Sequence, residues 1–112
     1  MAVGDRTPKK LGQVSLNTSA VTIFANTSSS YRTQVLQLYI ANTNTTTARY
    51  VTIYAHGTGT GNTIIQSMKL DAKASAILDT KIVLINTETI SGLQDTGTDV
   101  IVTAYGIEEQ IA

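Results

Sequence analysis

Across residues 33–42 the side chains alternate without a break. Leu36, Leu38 and Ile40 fall on one face of an extended chain, and Val35, Gln37 and Tyr39 fall on the other. The pattern returns across residues 48–56, where Val51, Ile53 and Ala55 oppose Tyr50, Thr52 and Tyr54. A period of two sets successive side chains on opposite sides of a pleated strand. The two segments therefore predict half-buried antiparallel strands, with Leu36, Leu38, Ile40, Val51 and Ile53 turned to a core. The linker Thr43-Asn44-Thr45-Thr46-Thr47 has hairpin length, which predicts that the two strands pair directly.

Composition extends this reading to the rest of the chain. Of its 112 residues 19 are threonine, and there is a single proline. β-Branched side chains lose little freedom on a pleated surface and more in a helix. Further strands are expected near residues 11–16, 20–25, 63–70, 76–85, 89–93 and 98–107, with turn-forming residues between them. Only residues 69–76 have the propensity for a helical turn. The expected fold is all-β, an antiparallel β-sandwich of about eight strands, jelly-roll-like or Ig-like. Residues 11–112 are expected to form one domain. Residues 1–10, which hold Pro8 and Lys9-Lys10, show no alternation and are expected as an arm outside the sheets.

Little in the chain invites catalysis. It has no cysteine, one histidine, and eight carboxylates that stand mostly apart. His56 lacks a second histidine or cysteine with which to hold a metal. The run Gly57-Thr58-Gly59-Thr60-Gly61 has no lysine and leads to no helix, so it reads as a hairpin tip rather than a phosphate loop. Glu108 and Glu109 are neighbours in a strand and point to opposite faces. No catalytic residue, cofactor or metal is expected. The longest apolar run, Ile82-Val83-Leu84-Ile85, is far short of the roughly 20 residues of a membrane helix. The segment 1–6 lacks the apolar core of a signal peptide. Asn17-Thr18-Ser19, Asn26-Thr27-Ser28 and Asn44-Thr45-Thr46 match the glycosylation pattern, as chance allows in a chain rich in these residues.

Net charge is zero, which argues against nucleic acid as a partner. The charges are nonetheless unevenly placed. Residues 1–50 carry five basic groups and one acid, whereas residues 86–112 carry five acids and no basic group. That separation reads either as solvated loops or as complementarity between subunits. If the strands of residues 33–42 and 48–56 form a hairpin, Tyr39, Tyr50 and Tyr54 share its non-core face. Tyrosine is enriched at interfaces, so these three, with Arg6, Lys9 and Lys10 of the arm, are the candidate contact residues. Cross-strand stacking on a solvated sheet is the plainer alternative.

Several stretches carry a family likeness: Leu11-Gly12-Gln13, the block Leu38-Tyr39-Ile40-Ala41-Asn42 leading into Val51-Thr52-Ile53-Tyr54, Leu70 and Leu78 before Ile82-Val83-Leu84, and Val100-Ile101-Val102 leading to Gly106-Ile107-Glu108. Across residues 11–109 the chain resembles small β-sandwich virion structural and accessory proteins of tailed bacteriophages. It departs from them at Asn86-Thr87-Glu88, where relatives often place a glycine and an acid. Asparagine tolerates the same left-handed backbone. The resemblance implies a non-enzymatic virion protein, assembled in the bacterial host cytoplasm, that decorates or cements the capsid or forms part of the neck, tail or fibre. Its partners would be other virion proteins and further copies of itself, in a cyclic oligomer such as a trimer, with neither nucleic acid nor membrane. The alternative is a host-surface module that binds carbohydrate or protein through loops at residues 26–30, 43–47 and 57–62.

Overall fold

The structure is a computed structural model and describes residues 3–112. Among these residues are eight strands: β1 (Arg6–Ser15), β2 (Val21–Ala25), β3 (Tyr31–Asn42), β4 (Arg49–Ala55), β5 (Thr63–Leu70), β6 (Ser75–Ile85), β7 (Thr89–Gln94) and β8 (Val100–Gln110). They form two four-stranded sheets, ordered β1-β8-β3-β6 and β2-β7-β4-β5, and every pairing is antiparallel. Only β4 and β5 are consecutive in sequence and hydrogen-bonded to each other. Every other connection crosses from one sheet to the opposite one. That order is the double Greek key of a jelly roll, which decides between the two sandwich types the sequence allows.

The same order corrects the expected hairpin. β3 lies in the first sheet and β4 in the second, so the two strands face each other across the core instead of pairing. Their inward residues are nevertheless the predicted ones. Leu38, Ile40, Val51 and Ile53 are fully buried, together with Leu16, Leu84, Ile90, Val100 and Val102. Leu36 is the exception. Against β8, a bulge between Val35 and Gln37 adds one residue to β3, so Val35 takes the inward place and Leu36 turns to the outer face.

A second correction concerns the arm. Residues 1 and 2 of the expected arm lie outside the described residues; residues 6–10 are the first half of β1, and their register on β8 runs from Arg6 opposite Glu109 to Lys10 opposite Tyr105. Pro8 is tolerated because β1 is an edge strand, where one missing N–H disrupts little. Residues 69–76 form no helical turn. A tight turn joins β5 to β6, closed by the Ala74 N–H on the Asp71 carbonyl at 3.0 Å, with Lys73 left-handed at φ 63°. Asn86 takes the left-handed backbone expected of it, at φ 53°.

Two buried asparagines pin the loops. The Asn26 amide donates to the carbonyls of Tyr31 at 2.8 Å and Asn86 at 2.9 Å, while its own oxygen accepts from Thr33 Oγ1 at 2.7 Å. Asn42 donates to the carbonyls of Thr47 at 3.0 Å and Leu70 at 3.1 Å. Such bonds satisfy backbone groups that the ladders leave free. They also give Asn26 a structural role that leaves it 2% exposed, out of reach of a glycosylating enzyme.

Candidate functional site

The outer face of the first sheet is unusual for a solvated surface. Tyr39, Ile77, Val83, Ile85 and Tyr105 are all exposed there, with Ile77 at 63%. Register explains the grouping. Tyr39 stands opposite both Ile77 of β6 and Thr103 of β8, and Gln34 stands between Val83 and Ile107. The rings of Tyr39 and Tyr105 lie 5.3 Å apart, tilted at 58°, a favourable aromatic geometry. Tyr39, Tyr105 and Ile77 form one apolar group on this face, and Val83 and Ile85 form another, with Asp79 and Lys81 between them on β6.

Bulges cross this face in a band. Against β8, β1 carries an extra residue between Lys10 and Gly12, and β3 carries one between Val35 and Gln37. β6 has two residues, Thr80 and Lys81, where β3 has only Leu36. Bulges bend and twist their strands locally. Here they accompany a groove of about 760 Å³ in which Leu36, Gln37, Lys10, Asp79, Lys81 and Tyr105 take part. Gly106 lies beneath it, where an added Cβ would overlap the Gln34 carbonyl oxygen, so only glycine lets β3 and β8 approach this closely. The groove is open to solvent along its length. Sites for small ligands enclose most of the ligand's area, and this groove does not.

The charged candidates are used within the chain. Arg6 Nε donates to Glu109 Oε2 at 2.9 Å, Arg32 also pairs with Glu109, and Lys9 Nζ lies 3.2 Å from Glu108 Oε1. At the opposite end of the sandwich, Arg49 Nε meets Asp99 Oδ1 at 2.9 Å. Asp99 also accepts from Asn44 at 2.9 Å and from Gln94 at 2.8 Å. The Arg6 and Arg32 guanidiniums hold the Glu109 carboxyl below its ordinary range. Arg49, helped by Asn44 and Gln94, holds Asp99 well below it. The separation of basic and acidic halves along the sequence is thus a consequence of topology. The first and last strands are neighbours, so their opposite charges pair inside one molecule. Arg6 and Lys9 are therefore engaged in the sheet. Lys10 borders the groove, with no ion pair among the described residues.

The tyrosines do not come together. Tyr39 lies on the outer face of the first sheet, while Tyr50 and Tyr54 belong to β4 of the second sheet, on the far side of the molecule. Tyr105 is the aromatic partner of Tyr39. Residue spacing gives no sign of it, because the pairing of β3 with β8 joins distant parts of the chain. Ile77, Val83 and Ile85 do leave a signal in the sequence, though the sequence reading did not single them out. They alternate with inward residues of β6, and an alternation that is apolar on both faces signals a covered outer face.

Among the described residues, no three histidine, cysteine or acidic side chains converge. His56 Nδ1 lies 3.2 Å from Glu88 Oε1, and Glu88 also accepts the Ile85 N–H at 2.9 Å, which is the main cause holding its carboxyl below the ordinary range. Both residues serve the turn between β6 and β7. No helix among the described residues is long and apolar enough to cross a membrane.

The sequence matches no family model and no curated protein. Solved structures similar in fold include the following two. One is a chain of the acidic stable capsid structure of Helicobacter pylori bacteriophage KHP30, 10% identical, with a TM-score of 0.58 over 99% of this chain and 90% of that one. The other comes from Bacillus endospore appendages that form disulfide-linked pili, 15% identical, with a TM-score of 0.56 over 99% of this chain and 93% of that one. At such identities the likeness is one of fold.

Proposed function

We propose that this chain is a non-enzymatic structural protein of a bacteriophage virion, assembled in the host cytoplasm, which decorates or cements the capsid or builds part of the neck, tail or fibre. The observation that carries this reading is the apolar outer face of the first sheet. A jelly roll that keeps Tyr39, Tyr105, Ile77 and Val83 in water gains by covering them with a neighbour. The two folds described above come from a phage capsid structure and from endospore appendages that form pili. This chain has no cysteine, so its contacts could not be disulfides like those of the disulfide-linked pili.

Electron microscopy and mass spectrometry of purified particles test the proposal. The protein should be present in them at many copies. A Tyr39→Ala, Tyr105→Ala variant should fold by circular dichroism yet incorporate at least about tenfold less, the loss expected when central interface aromatics are truncated. Absence of the wild-type protein from intact particles would reject the reading.

A host-binding module gains no comparable support. The loops at 26–30 and 57–62 lie at the end marked by the contacts of Asn26 and His56 with Glu88 and Thr89. The loop at 43–47 lies at the opposite end, against Asp99 and Lys73. The three do not make one binding surface.

A further inference from the structure

We infer that β6 pairs antiparallel with β6 of a second copy about a twofold axis at Thr80, joining the two first sheets into one. The inference rests on the assembly reading above and specifies the partner and the register.

β6 is an edge strand of 11 residues, with no partner on its outer side among the described residues. A free edge with apolar side chains is a template for strand addition, and proteins that avoid this guard such edges with charge, proline or bulges. β6 carries no proline. Its guards are the mid-strand bulge at Thr80 and Lys81, the charges of Asp79 and Lys81, and Glu88 at its end, which occupies the Ile85 backbone: the Glu88 N–H donates to the Ile85 carbonyl at 3.0 Å, and Glu88 Oε1 accepts the Ile85 N–H at 2.9 Å. The stretch free to pair therefore runs from Ser75 to about Val83.

The sequence of this stretch is complementary to itself in one register. About Thr80, Asp79 of each copy falls opposite Lys81 of the other, and Ile77 falls opposite Val83. Asp79 and Lys81 both border the groove on the outer face, and Lys81 has no ion pair among the described residues. An axis at residue 79 would set Asp79 against Asp79 and Lys81 against Ile77. An axis at residue 81 would set Lys81 against Lys81 and Asp79 against Val83. Like charges directly across a strand pair destabilise it, so the Thr80 register is selected. Because the contact is isologous, each favourable pair occurs twice.

Two further features fall on the same line. Lys81 is left-handed, at φ 55°, an uncommon state for lysine that marks the bulge at the centre of the strand. Beside it a cleft of about 320 Å³ opens between β5 and β6, lined by Ile64, Ile65, Leu78, Thr80 and Ile82. A second copy set against β6 would close this cleft and cover Ile64, which is 44% exposed.

Charge reversal on the full chain tests the register, read by sedimentation equilibrium. The wild-type protein should dimerise. Asp79→Lys and Lys81→Asp should each weaken dimerisation at least about tenfold, because every twofold pair then sets like charges together. Mixing the two variants should restore a heterodimer, since positions 79 and 81 are then both basic in one chain and both acidic in the other. Recovery on mixing also shows that both variants are folded. A monomeric wild type, single reversals that dimerise normally, or a mixture that stays monomeric each overturn the pairing. A wild type that enters particles yet is monomeric by itself rejects this register and keeps the assembly reading. A protein that dimerises as described but is absent from particles does the reverse.

Discussion

Along one long side of the sandwich, β1 lies directly against β2. An added Cβ on Gly12 would overlap the Ile23 carbonyl oxygen, and Leu11, Val14 and Phe24 pack on the core from this side. Along the other side, β5 and β6 stand apart around the 320 Å³ cleft, and Ile64, Ile77, Val83 and Ile85 remain exposed. The guards against unwanted strand addition are distributed in the same way. β1 carries Arg6, Pro8, Lys9 and Lys10, whereas β6 carries three exposed aliphatic side chains and a single lysine. The closed side finishes the fold within one chain. The open side leaves surface that a neighbour can finish.

Substitutions at points along this contrast should differ in size and in what they disturb. Leu38→Ala, at the centre between the two sides, should cost about 2–5 kcal/mol of stability in denaturant unfolding, through lost burial and a residual cavity. A loss well below that range would mean that the two sheets are less tightly joined there than the burial implies. Gly12→Ala should cost about 1–3 kcal/mol, because the new methyl group meets backbone, which cannot rotate away as a side chain can. If it is neutral, the closed side is less tightly packed than the geometry indicates.

Acid should act on the closed side through its ion pairs. The Glu109 carboxyl is held below its ordinary range by Arg6 and Arg32, so the folded state binds that proton less readily than the unfolded chain does. Its contribution is present above an unfolded value of about 4.3 and is lost as pH falls through the folded one. Asp99, held low by Arg49, acts in the same direction at the far end. Melting temperature should therefore fall below pH about 4, and Glu109→Gln should show a flatter decline than the wild type. Parallel profiles for the two proteins would show that the pairs on β1 contribute little. The smallest change in stability belongs to the open side. Ile77→Ser should shift unfolding by no more than about 0.5 kcal/mol, as at other exposed sites, while reducing self-association measured by light scattering. Destabilisation without any change in association would contradict the contrast.

Strand locations and most inward residues were legible in the sequence. Period two is a local property, and Leu38, Ile40, Val51 and Ile53 follow it within single strands. Leu36 broke the pattern because a bulge is set by the register of β3 on β6 and β8, which alternation within β3 does not encode. The supposed tyrosine face failed for a related reason. Alternation says that Tyr50 and Tyr54 share a side of β4, but not which sheet β4 joins. That residues 6–10 join a sheet is not visible in the sequence, because their partner lies at the far end of the chain: Arg6 pairs with Glu109, 103 residues away.

β-Branched composition and alternating faces are enough to specify an all-β chain of about eight strands with an aliphatic core and no evident chemical centre. Only the closing of the two sheets made β1 and β8 neighbours, cancelled their opposite charges within one molecule and brought Tyr39 to Tyr105. It also settled which edge is left open. The physical reason is that a strand's side-chain pattern is set by its own pleat, whereas its neighbours are chosen by how two sheets close over a shared core, with loop closure costing only slowly more as the intervening chain lengthens.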